Sequence, residues 1–526
     1  MKQYIPYLGS FILGLLLTLA FYPISIFPFV ISFGGFYFLL KKNIDSNLKL
    51  FLHGILFGYG YFFINLYWIP LSIYKAPMNL EWLVPILSIL IPLPFALFIG
   101  VFAILTKLGR HNSVIYSINF SFLWVIFEYI RSNLFFPFPW ALIGYSATSM
   151  LWFAQIVSFF GAYATSLFTV LLTTSLFSQN KKYIGFNIFL FLLMCMVGES
   201  HIESDSLTDN DNIKVRLVQP NIQEQHFGNK EKQISILQTL SELTLSTGFK
   251  ESNYVFWPEA AFPYPIQKQQ NWVNMMKDFV PPNQNAALVF GADSIKEDYY
   301  TSLSFNSILA INKTGEMLGY YDKKILVPFG EYIPYKKKFS FMKKIAFSAN
   351  IEDISKGTQS NIIDLGNNVK FLPIICSESI ADMDNFEISS HNNYRFILSV
   401  TNDAWFGSSL GPYQHFNISR IRAIEYGLPV LRVANTGISG VIDTFGKVLK
   451  STELNVETVV DSIIPSKLKK PTLFYRIHDF VMPTILILYA LLILYLLYLK
   501  WSITYSDERS SKKIIPKEAF KDMDYR

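Results

Sequence analysis

Cysteine is scarce in this chain, with only Cys195 and Cys376 among 526 residues. Cys195 lies inside a hydrophobic stretch, where a small apolar thiol usually packs and does no chemistry. The polar part of the chain therefore contains Cys376 alone, which excludes an internal disulfide there and leaves a free thiol. Cys376 closes the short apolar run 371–376, and a thiol at the end of a predicted strand is typical of a nucleophile.

Charged residues are also few, at 16% of the chain, whereas 51% are apolar and 17% are aromatic. Together with a mean hydropathy of +0.30, this composition is too apolar for a soluble protein and predicts several membrane spans. The net charge of +6 is not arranged as a basic stripe on a soluble domain, so nucleic acid is not an expected partner.

Hydropathy divides the chain into four parts. Residues 1–198 are a series of apolar stretches, 199–479 have the polar content of a globular domain, 480–499 are apolar again, and 500–526 form a charged tail. Because a helix needs about 20 apolar residues to cross a bilayer, we predict about seven spans in the first part and one in the third. The predicted spans cover residues 5–21, 26–40, 51–73, 82–106, 114–130, 151–177, 183–197 and 480–499.

Basic residues are distributed unequally between the two sides of these spans. If the N-terminus is inside, the outer loops contain mainly Lys75 and Arg131. The inner loops and the tail then contain Lys41, Lys42, Lys49, Lys107, Arg110, Lys181, Lys182, Lys500, Arg509, Lys512, Lys513, Lys517 and Lys521. This bias predicts that the tail is cytoplasmic and that residues 199–479 lie on the outer side of the membrane.

The polar domain alternates short β-rich runs with helical stretches, which predicts an α/β domain. Strands are expected at 215–219, 254–257, 287–291, 307–311, 372–376, 396–401 and 429–434, and helices at 230–246 and 414–426.

Three unlike reactive groups border apolar segments of this domain. Glu259 and Cys376 each end an apolar run, and Lys323 comes just before one. Each has an ordinary explanation by itself, as a turn carboxylate, a packed thiol or a surface lysine. Because catalytic groups commonly cluster at strand ends in α/β folds, we expect the three to meet. Glu259 would be the general base, Cys376 the nucleophile and Lys323 a stabiliser of the oxyanion.

This set, in the order Glu259, Lys323, Cys376, resembles the carbon-nitrogen hydrolase (nitrilase) superfamily. The strings TNDAWFG at 401–407 and GPYQH at 411–415, joined to an apolar N-terminal half and one C-terminal span, are similar to the bacterial apolipoprotein N-acyltransferase family. The resemblance covers nearly the whole chain. It implies an α/β nitrilase-like α-β-β-α sandwich carried by a polytopic α-helical membrane protein of about eight spans.

The same resemblance implies a ping-pong acyltransferase of the bacterial cytoplasmic (inner) membrane, with the catalytic domain on the periplasmic side. A phospholipid would donate a fatty acyl chain to Cys376. The thioester would then pass the chain to the N-terminal α-amine of the diacylglyceryl-cysteine of an apolipoprotein, the last step of lipoprotein maturation. Both substrates are lipids, which accounts for an enzyme embedded in the membrane. No metal and no cofactor are implied.

Further candidates for support of the site or for the substrate pocket are Glu331, Glu378, Ser377, Asn402, Asp403 and Trp405. The resemblance implies supporting carboxylates at Glu331 and Glu378, with structural ion pairing as the alternative. Ser377 stands where some family members have an aromatic residue.

Asn402 and Asp403 follow a predicted strand, where they would either lie beside an acyl pocket or form a turn with Trp405 packed against it. Arg432 and Asn435, at another strand end, are candidates for a role behind the site.

Two other segments have two interpretations each. Glu128 and Arg131 precede a proline-aromatic run ending in Trp140, which predicts support beneath the catalytic domain or an ordinary pair of charges at the end of a span. Residues 335–347 interleave five lysines with aromatics, which predicts a lid that binds anionic headgroups or a solvated charged segment.

Two other function classes use some of the same features. A membrane-tethered amidase or nitrilase would use the three residues on a small carbon-nitrogen bond and would need no lipid donor. A transporter would instead need charged or broken helices around a midplane cavity, and the predicted spans are mostly uncharged.

Overall fold

The computed structural model of the protein describes residues 4–75, 80–134, 136–203, 207–208, 212–222, 230–266, 271–297, 302–334, 354–359, 362–381 and 393–513. The lysine-rich segment 335–347, interpreted above as a lid or a solvated run, lies outside these ranges, as do residues 514–526 of the predicted tail.

The N-terminal part of the chain is helical, with short 3-10 turns between several of the helices. The α-helices are α1 Ile5–Leu17, α2 Ser32–Lys42, α3 Asn47–Leu66, α4 Leu83–Leu90, α5 Pro92–Leu105, α6 Ser113–Asn133, α7 Leu151–Ala154, α8 Ile156–Ser175 and α9 Lys181–Glu203. After the polar domain, one long helix, α13 Leu473–Lys513, ends the described chain. We refer to α1–α9 and α13 together as the membrane half.

Six helical segments of the described chain are long and apolar enough to cross a membrane, namely Asn47–Tyr74, Leu83–Leu105, Ser113–Asn133, Ile156–Ser175, Lys181–Glu203 and Leu473–Tyr498. Each overlaps a predicted span, so the expectation of a membrane protein is confirmed. The helix at the last span begins before residue 480 and continues past 499, because hydropathy marks only the apolar part of a longer helix.

The first two of the eight predicted spans are shorter than a spanning helix. The first forms an apolar helix over Ile5–Ala20, and the second is divided into a 3-10 turn, Phe27–Ile31, followed by the 11-residue α2. Pro28 occupies the first turn of that segment, and a proline nitrogen cannot donate a helical hydrogen bond. Six of the eight predicted spans therefore correspond to described helices that are long enough to cross a membrane, and the first two do not.

Aromatic side chains fill the centre of the membrane half. The rings of Phe36 and Phe57 stack with centroids 3.9 Å apart, and Phe33 meets Trp124 edge-on at 4.5 Å. These contacts join α2, α3 and α6. Because lipid tails are as apolar as these side chains, close van der Waals contact and aromatic geometry hold the helices together, at about 0.5–1.5 kcal/mol per ring pair.

The polar domain contains two β-sheets. Its strands are β1 Lys214–Gln219, β2 Tyr254–Phe256, β3 Phe262–Ile266, β4 Ala287–Glu297, β5 Ser302–Asn312, β6 Met317–Asp322, β7 Ile363–Asp364, β8 Lys370–Ile375, β9 Phe396–Thr401, β10 Val430–Ala434, β11 Gly440–Ile442, β12 Val448–Ser451 and β13 Thr458–Ile463. Among the described residues the first sheet has the order β13-β1-β2-β4-β5-β6, with β3 beside β4, and the second has the order β12-β11-β10-β9-β8-β7.

Three more helices flank the sheets: α10 Lys230–Leu245, α11 Asn271–Met276 and α12 Gly411–Tyr426. Every strand and helix predicted for this domain is confirmed, although β4 and β5 extend well past their predicted ends. Both continue beyond the core into more exposed positions, where apolar content no longer marks a strand.

Apolar residues of both sheets form one core, as where Phe256 of the first sheet meets Phe396 of the second at 5.9 Å. The opposite face of the first sheet packs on α10 and α11, and that of the second packs on α12. The domain is thus an α-β-β-α sandwich, as expected from the resemblance.

Strand direction determines where the functional groups lie. In the first sheet β2 and β4 are parallel, and β6 runs the same way because both β4 and β6 are antiparallel to β5. In the second sheet β8, β9 and β10 are parallel. Residues that follow β2 and β6 therefore share one edge of the first sheet, and residues that follow β8 and β9 share one edge of the second.

Candidate active site

Glu259 follows β2 and points into the space between the sheets, with 6% of its surface exposed. Both of its carboxylate oxygens accept hydrogen bonds. Oε1 lies 2.7 Å from the side-chain amide of Asn306 on β5, and Oε2 lies 2.7 Å from the backbone N–H of Asn402. The carboxylate is therefore held from both sheets, which fixes its position.

Lys323 follows β6 directly and is 1% exposed. Its Nζ lies 2.7 Å from Oε1 of Glu331 and 3.7 Å from Oε1 of Glu259. The other oxygen of Glu331 accepts the backbone N–H of Val327 at 2.8 Å. Two carboxylates thus share the ammonium group of Lys323, and that of Glu331 is the closer one.

Cys376 begins a 3-10 turn, Cys376–Ser379, at the end of β8. Its backbone φ is +49°, in the left-handed region that a residue with a side chain seldom adopts, at a cost of about 1–2 kcal/mol. Such a conformation persists only where the surroundings hold it. The carbonyl of Cys376 accepts the hydroxyl of Ser379 at 2.9 Å, and Nε2 of His415 lies 3.3 Å from the same oxygen.

Burial and charge determine how these three groups are protonated. Loss of water raises the pKa of the Cys376 thiol, the nearby Glu259 raises it further, and Lys323 opposes both. Burial also raises the pKa of Glu259, against the effect of Lys323. For Lys323 burial alone would lower the pKa, but Glu331 and Glu259 outweigh it, so the pKa is raised. The site therefore pairs a neutral thiol and a permanent cation with a carboxylate of increased proton affinity.

Glu378 and Ser377 connect the lysine-bearing and cysteine-bearing segments. Glu378 is fully buried, and its Oε1 accepts the hydroxyl of Tyr321 at 2.8 Å and the backbone N–H of Lys324 at 2.6 Å. Its other oxygen accepts the N–H of Ile375 at 2.8 Å. The hydroxyl of Ser377 donates to the carbonyl of Ile325 at 3.1 Å. Glu378 thus sets the distance between β6 and β8 by bonds to backbone amides.

Asn402 and Asp403 lie at the end of β9, beside the turn that carries the cysteine. The side chain of Asn402 accepts the N–H of Ala404 at 3.3 Å and the amide of Asn435 at 3.0 Å. Asp403 is buried against Arg432, at 2.9 Å, and although burial opposes it, this contact helps to lower the pKa of Asp403 to about 2.

The segment forms a 3-10 turn, Asp403–Phe406, as the turn interpretation predicts, and it contacts Glu259 through the backbone N–H of Asn402. Trp405 is half-buried in that turn.

The membrane half meets the polar domain close to this site. Oε1 of Glu128 accepts the N–H of Ile143, and Arg131 donates to the carbonyl of Trp140, each at 2.8 Å. The indole N–H of Trp140 then donates to Oε1 of Gln414 on α12 at 2.8 Å. The pair predicted from the sequence therefore shapes the loop that touches the polar domain.

Sequence reasoning assigned no role to Asn306 and His415. Asn306 is 5% exposed and lies within reach of two carboxylates, Glu259 at 2.7 Å and Glu331 at 3.4 Å. Its signal in the sequence is an amide close to the apolar run 308–311 of the same strand. His415 stands in the string GPYQH, but only the fold brings it to Cys376. Within the described ranges no group of three or more His, Cys, Asp or Glu side chains is placed to hold a metal ion.

Comparison with known proteins covers both parts of the chain. Residues 13–175 match the family model described as the apolipoprotein N-acyltransferase N-terminal domain, and residues 214–469 match the model described as carbon-nitrogen hydrolase. The chain is 32% identical to apolipoprotein N-acyltransferase of Rickettsia prowazekii, over 93% of this chain and 97% of the relative. It is 33% identical to the protein of the same name from Rickettsia typhi, over 93% and 98%.

Solved structures similar to the polar domain include Saccharomyces cerevisiae Nit3, a member of branch 10 of the nitrilase superfamily. The similarity covers 52% of this chain and 96% of that one, with 17% identity and a TM-score of 0.36.

Proposed function

The chain belongs to the apolipoprotein N-acyltransferase family, and from that premise we propose how its own residues carry out the transfer. A phospholipid ester is the acyl donor, Cys376 carries the chain as a thioester, and the N-terminal α-amine of an apolipoprotein's diacylglyceryl-cysteine is the acceptor. The observation that supports this most strongly is the meeting of Glu259, Lys323 and Cys376 between two sheets, beside the membrane half.

In the first step the sulfur of Cys376 attacks the ester carbonyl and its proton passes to Glu259. The raised pKa of that carboxylate makes it a stronger base, and the low dielectric around it favours neutralising the charge. Lys323 lies beside the same carboxylate, where its ammonium group stabilises negative charge on the tetrahedral oxygen, as a backbone N–H near Ser377 would. Loss of one such donor typically costs about 3–4 kcal/mol of barrier.

The intermediate collapses when the glycerol oxygen leaves with the proton held by Glu259, which releases a lysophospholipid and leaves the thioester on Cys376. In the second step the acceptor amine attacks the thioester carbonyl and gives its proton to Glu259. Collapse forms the amide, and the sulfur leaves and recovers that proton. Each half-reaction returns Glu259 to its ionised state, so one carboxylate serves both.

We assign supporting roles to the remaining predicted residues. Glu331 orients Lys323, and Glu378 and Ser377 hold the lysine-bearing and cysteine-bearing segments together. Asn402 fixes Glu259 through its backbone N–H, and Asp403 lies behind the cysteine with Arg432. Trp405 we place at the acyl pocket.

The protein's arrangement in the membrane follows from the same proposal. We propose eight crossings, with Ile5–Ala20 and the segment 27–42 as two short ones, and a catalytic domain of residues 199–479 on the periplasmic side of the bacterial cytoplasmic membrane. The excess of basic residues in the inner loops supports this orientation. Short helices span by thinning the bilayer locally.

Intact-protein mass spectrometry after incubation with phosphatidylethanolamine tests the proposal. A hydroxylamine-labile fatty-acyl mass on the native protein, absent from Cys376→Ser and removed by a diacylglyceryl-cysteine peptide, is the expected result. If the folded native protein takes no acyl group, the proposal fails, and a membrane-tethered amidase or nitrilase acting on a small carbon-nitrogen bond becomes the better explanation.

A further inference from the structure

Helix α12 lies between the membrane half and the turn that carries Cys376. On one side the side chain of Gln414 makes three hydrogen bonds to the membrane half. Its Oε1 accepts the indole N–H of Trp140 at 2.8 Å and that of Trp68 at 3.2 Å, and its Nε2 donates to Oδ1 of Asn65 at 2.8 Å. Two tryptophans from separate loops therefore share one acceptor on the polar domain.

The next residue, His415, is completely buried and contacts the other side. Its Nε2 lies 2.8 Å from the hydroxyl oxygen of Ser379 and 3.3 Å from the carbonyl oxygen of Cys376. Nη2 of Arg432, which can only donate, lies 3.0 Å from Nδ1, and the Ser379 hydroxyl donates to that same carbonyl at 2.9 Å. We therefore take the ring hydrogen to be on Nε2, where it faces both oxygens. The other ring nitrogen lies 2.9 Å from Oδ1 of Asp403.

Aromatic rings also pack against the imidazole of His415. Trp140, which donates to Gln414, also has its ring centroid 6.1 Å from that of the imidazole, and Phe406 meets it edge-on at 5.6 Å. The membrane half therefore reaches His415 both through Gln414 and through direct ring packing. The imidazole in turn lies against the carbonyl of Cys376, whose φ is +49°.

We propose that His415 is a positioning residue for the nucleophile Cys376, and that the hydrogen bonds of Gln414 to the membrane half hold His415 in place. Docking of the polar domain on the membrane helices then sets the turn of Cys376. The membrane half is on this account part of the catalytic geometry as well as an anchor. The inference rests on the proposed function, because it takes Cys376 to be the reacting group. The reason is conformational: a backbone outside the usual regions relaxes when its carbonyl is released, which withdraws the sulfur from Lys323 and Glu259.

Two variants at one position separate positioning from packing. Glutamine places an amide nitrogen where Nε2 of His415 lies, whereas asparagine places one near Nδ1. His415→Gln should keep the bond to the cysteine carbonyl and retain most of the reactivity. His415→Asn should lose that bond and lower the reactivity of Cys376 by about 10- to 100-fold, since a shift of about 1 Å costs on the order of 100-fold.

The readout is the rate of iodoacetamide alkylation against pH, measured on the full chain in detergent with Cys195→Ala so that Cys376 alone reacts. Lys323, Glu259 and Asp403 all act on the thiol. Glu259 and Asp403 raise the pKa of the thiol and Lys323 lowers it, so withdrawal of the sulfur from these groups should move the midpoint for His415→Asn away from that of the native chain. Equal rates and midpoints in the two variants, both with native thermal unfolding, would overturn the positioning role.

The link to the membrane half is tested one residue earlier. Gln414→Met removes both acceptor and donor and should slow alkylation in the same way as His415→Asn. Asn417→Leu is the matched control, because Asn417 accepts the hydroxyl of Thr148 at 2.8 Å and so also joins α12 to the membrane half, without contacting His415. It should react as the native chain does.

A double variant, Gln414→Met with His415→Asn, should be no slower than His415→Asn alone if Gln414 acts through the histidine. Additive losses would overturn that route. Acylation by phosphatidylethanolamine vesicles, followed by mass spectrometry, distinguishes the two levels of the argument. No acyl adduct on the native chain would refute the proposed function, whereas a native adduct with unchanged alkylation in all variants would refute only this inference.

Discussion

Replacement of Gly291 by alanine should inactivate the site without touching any of its side chains. Gly291 lies on β4 beside the segment that carries Glu259, and its N–H donates to the carbonyl of Pro258 at 3.2 Å. A Cβ on Gly291 would lie 2.4 Å from that carbonyl oxygen and 2.7 Å from the Cα of Glu259. The general base therefore approaches the neighbouring strand where only glycine leaves room.

The size of the effect follows from these distances. The carbonyl of Pro258 must retreat by at least about 0.6 Å before the contact with the new Cβ reaches 3.0 Å. Glu259 follows in the chain and moves with it. Because a misplacement of about 1 Å costs on the order of 100-fold, we expect the acylation rate to fall by about 10- to 100-fold. Overpacking should also lower stability by about 1–3 kcal/mol.

The assay is single-turnover acylation of Cys376 by phosphatidylethanolamine, with thermal unfolding of the same preparation. Gly319→Ala is the control, because Gly319 lies on β6 of the same sheet and a Cβ there comes no closer than 3.3 Å to its nearest neighbour, the side chain of Ile363. It should acylate at the native rate. A folded Gly291→Ala variant that also acylates at the native rate would refute the assignment of Glu259 as a closely positioned base.

Three further predictions follow from the buried charges. The acylation rate should fall as pH decreases through the pKa of Glu259, which burial places above the ordinary carboxyl value of 4.5; Glu259→Gln should be slow and lack this acid limb in a pH-rate profile. Gly437→Ala would put a Cβ 2.2 Å from Oδ2 of Asp403 and separate its buried ion pair, so unfolding experiments should show a loss of about 3–5 kcal/mol. Arg216→Met should cost a similar amount, about 3–5 kcal/mol by the same measurement, since the buried carbonyl of Thr244 loses its donor together with the carboxylate of Asp461.

Much of the architecture could be predicted because it depends on local pattern. Apolar stretches marked each of the six long membrane segments, and most predicted strands of the polar domain match the observed strands closely, apart from β4 and β5. The first two spans were harder, because hydropathy measures composition over a window. The division between the 3-10 turn Phe27–Ile31 and α2 depends on backbone hydrogen bonds that composition does not record.

The residues of the candidate site likewise differ in whether the sequence alone could identify them. Glu259, Lys323 and Cys376 could be selected by residue type and by their places at the borders of apolar runs. Asn306 and His415 could not, because an amide in a strand and a histidine on a helix have ordinary roles in most proteins. Their importance appears only when β5 places Asn306 between two carboxylates and α12 brings His415 to the cysteine carbonyl.

By itself, the sequence determined which segments prefer lipid, which form strands, and which reactive groups stand at strand ends, since these depend on neighbours along the chain. The tertiary structure alone decided that Lys323 has two carboxylate partners, that Cys376 has a left-handed backbone, and that Trp140 reaches Gln414 on α12. The physical reason is range: hydrophobic periodicity acts over a few residues, whereas distances between groups far apart in the chain are set by how sheets pair and helices dock.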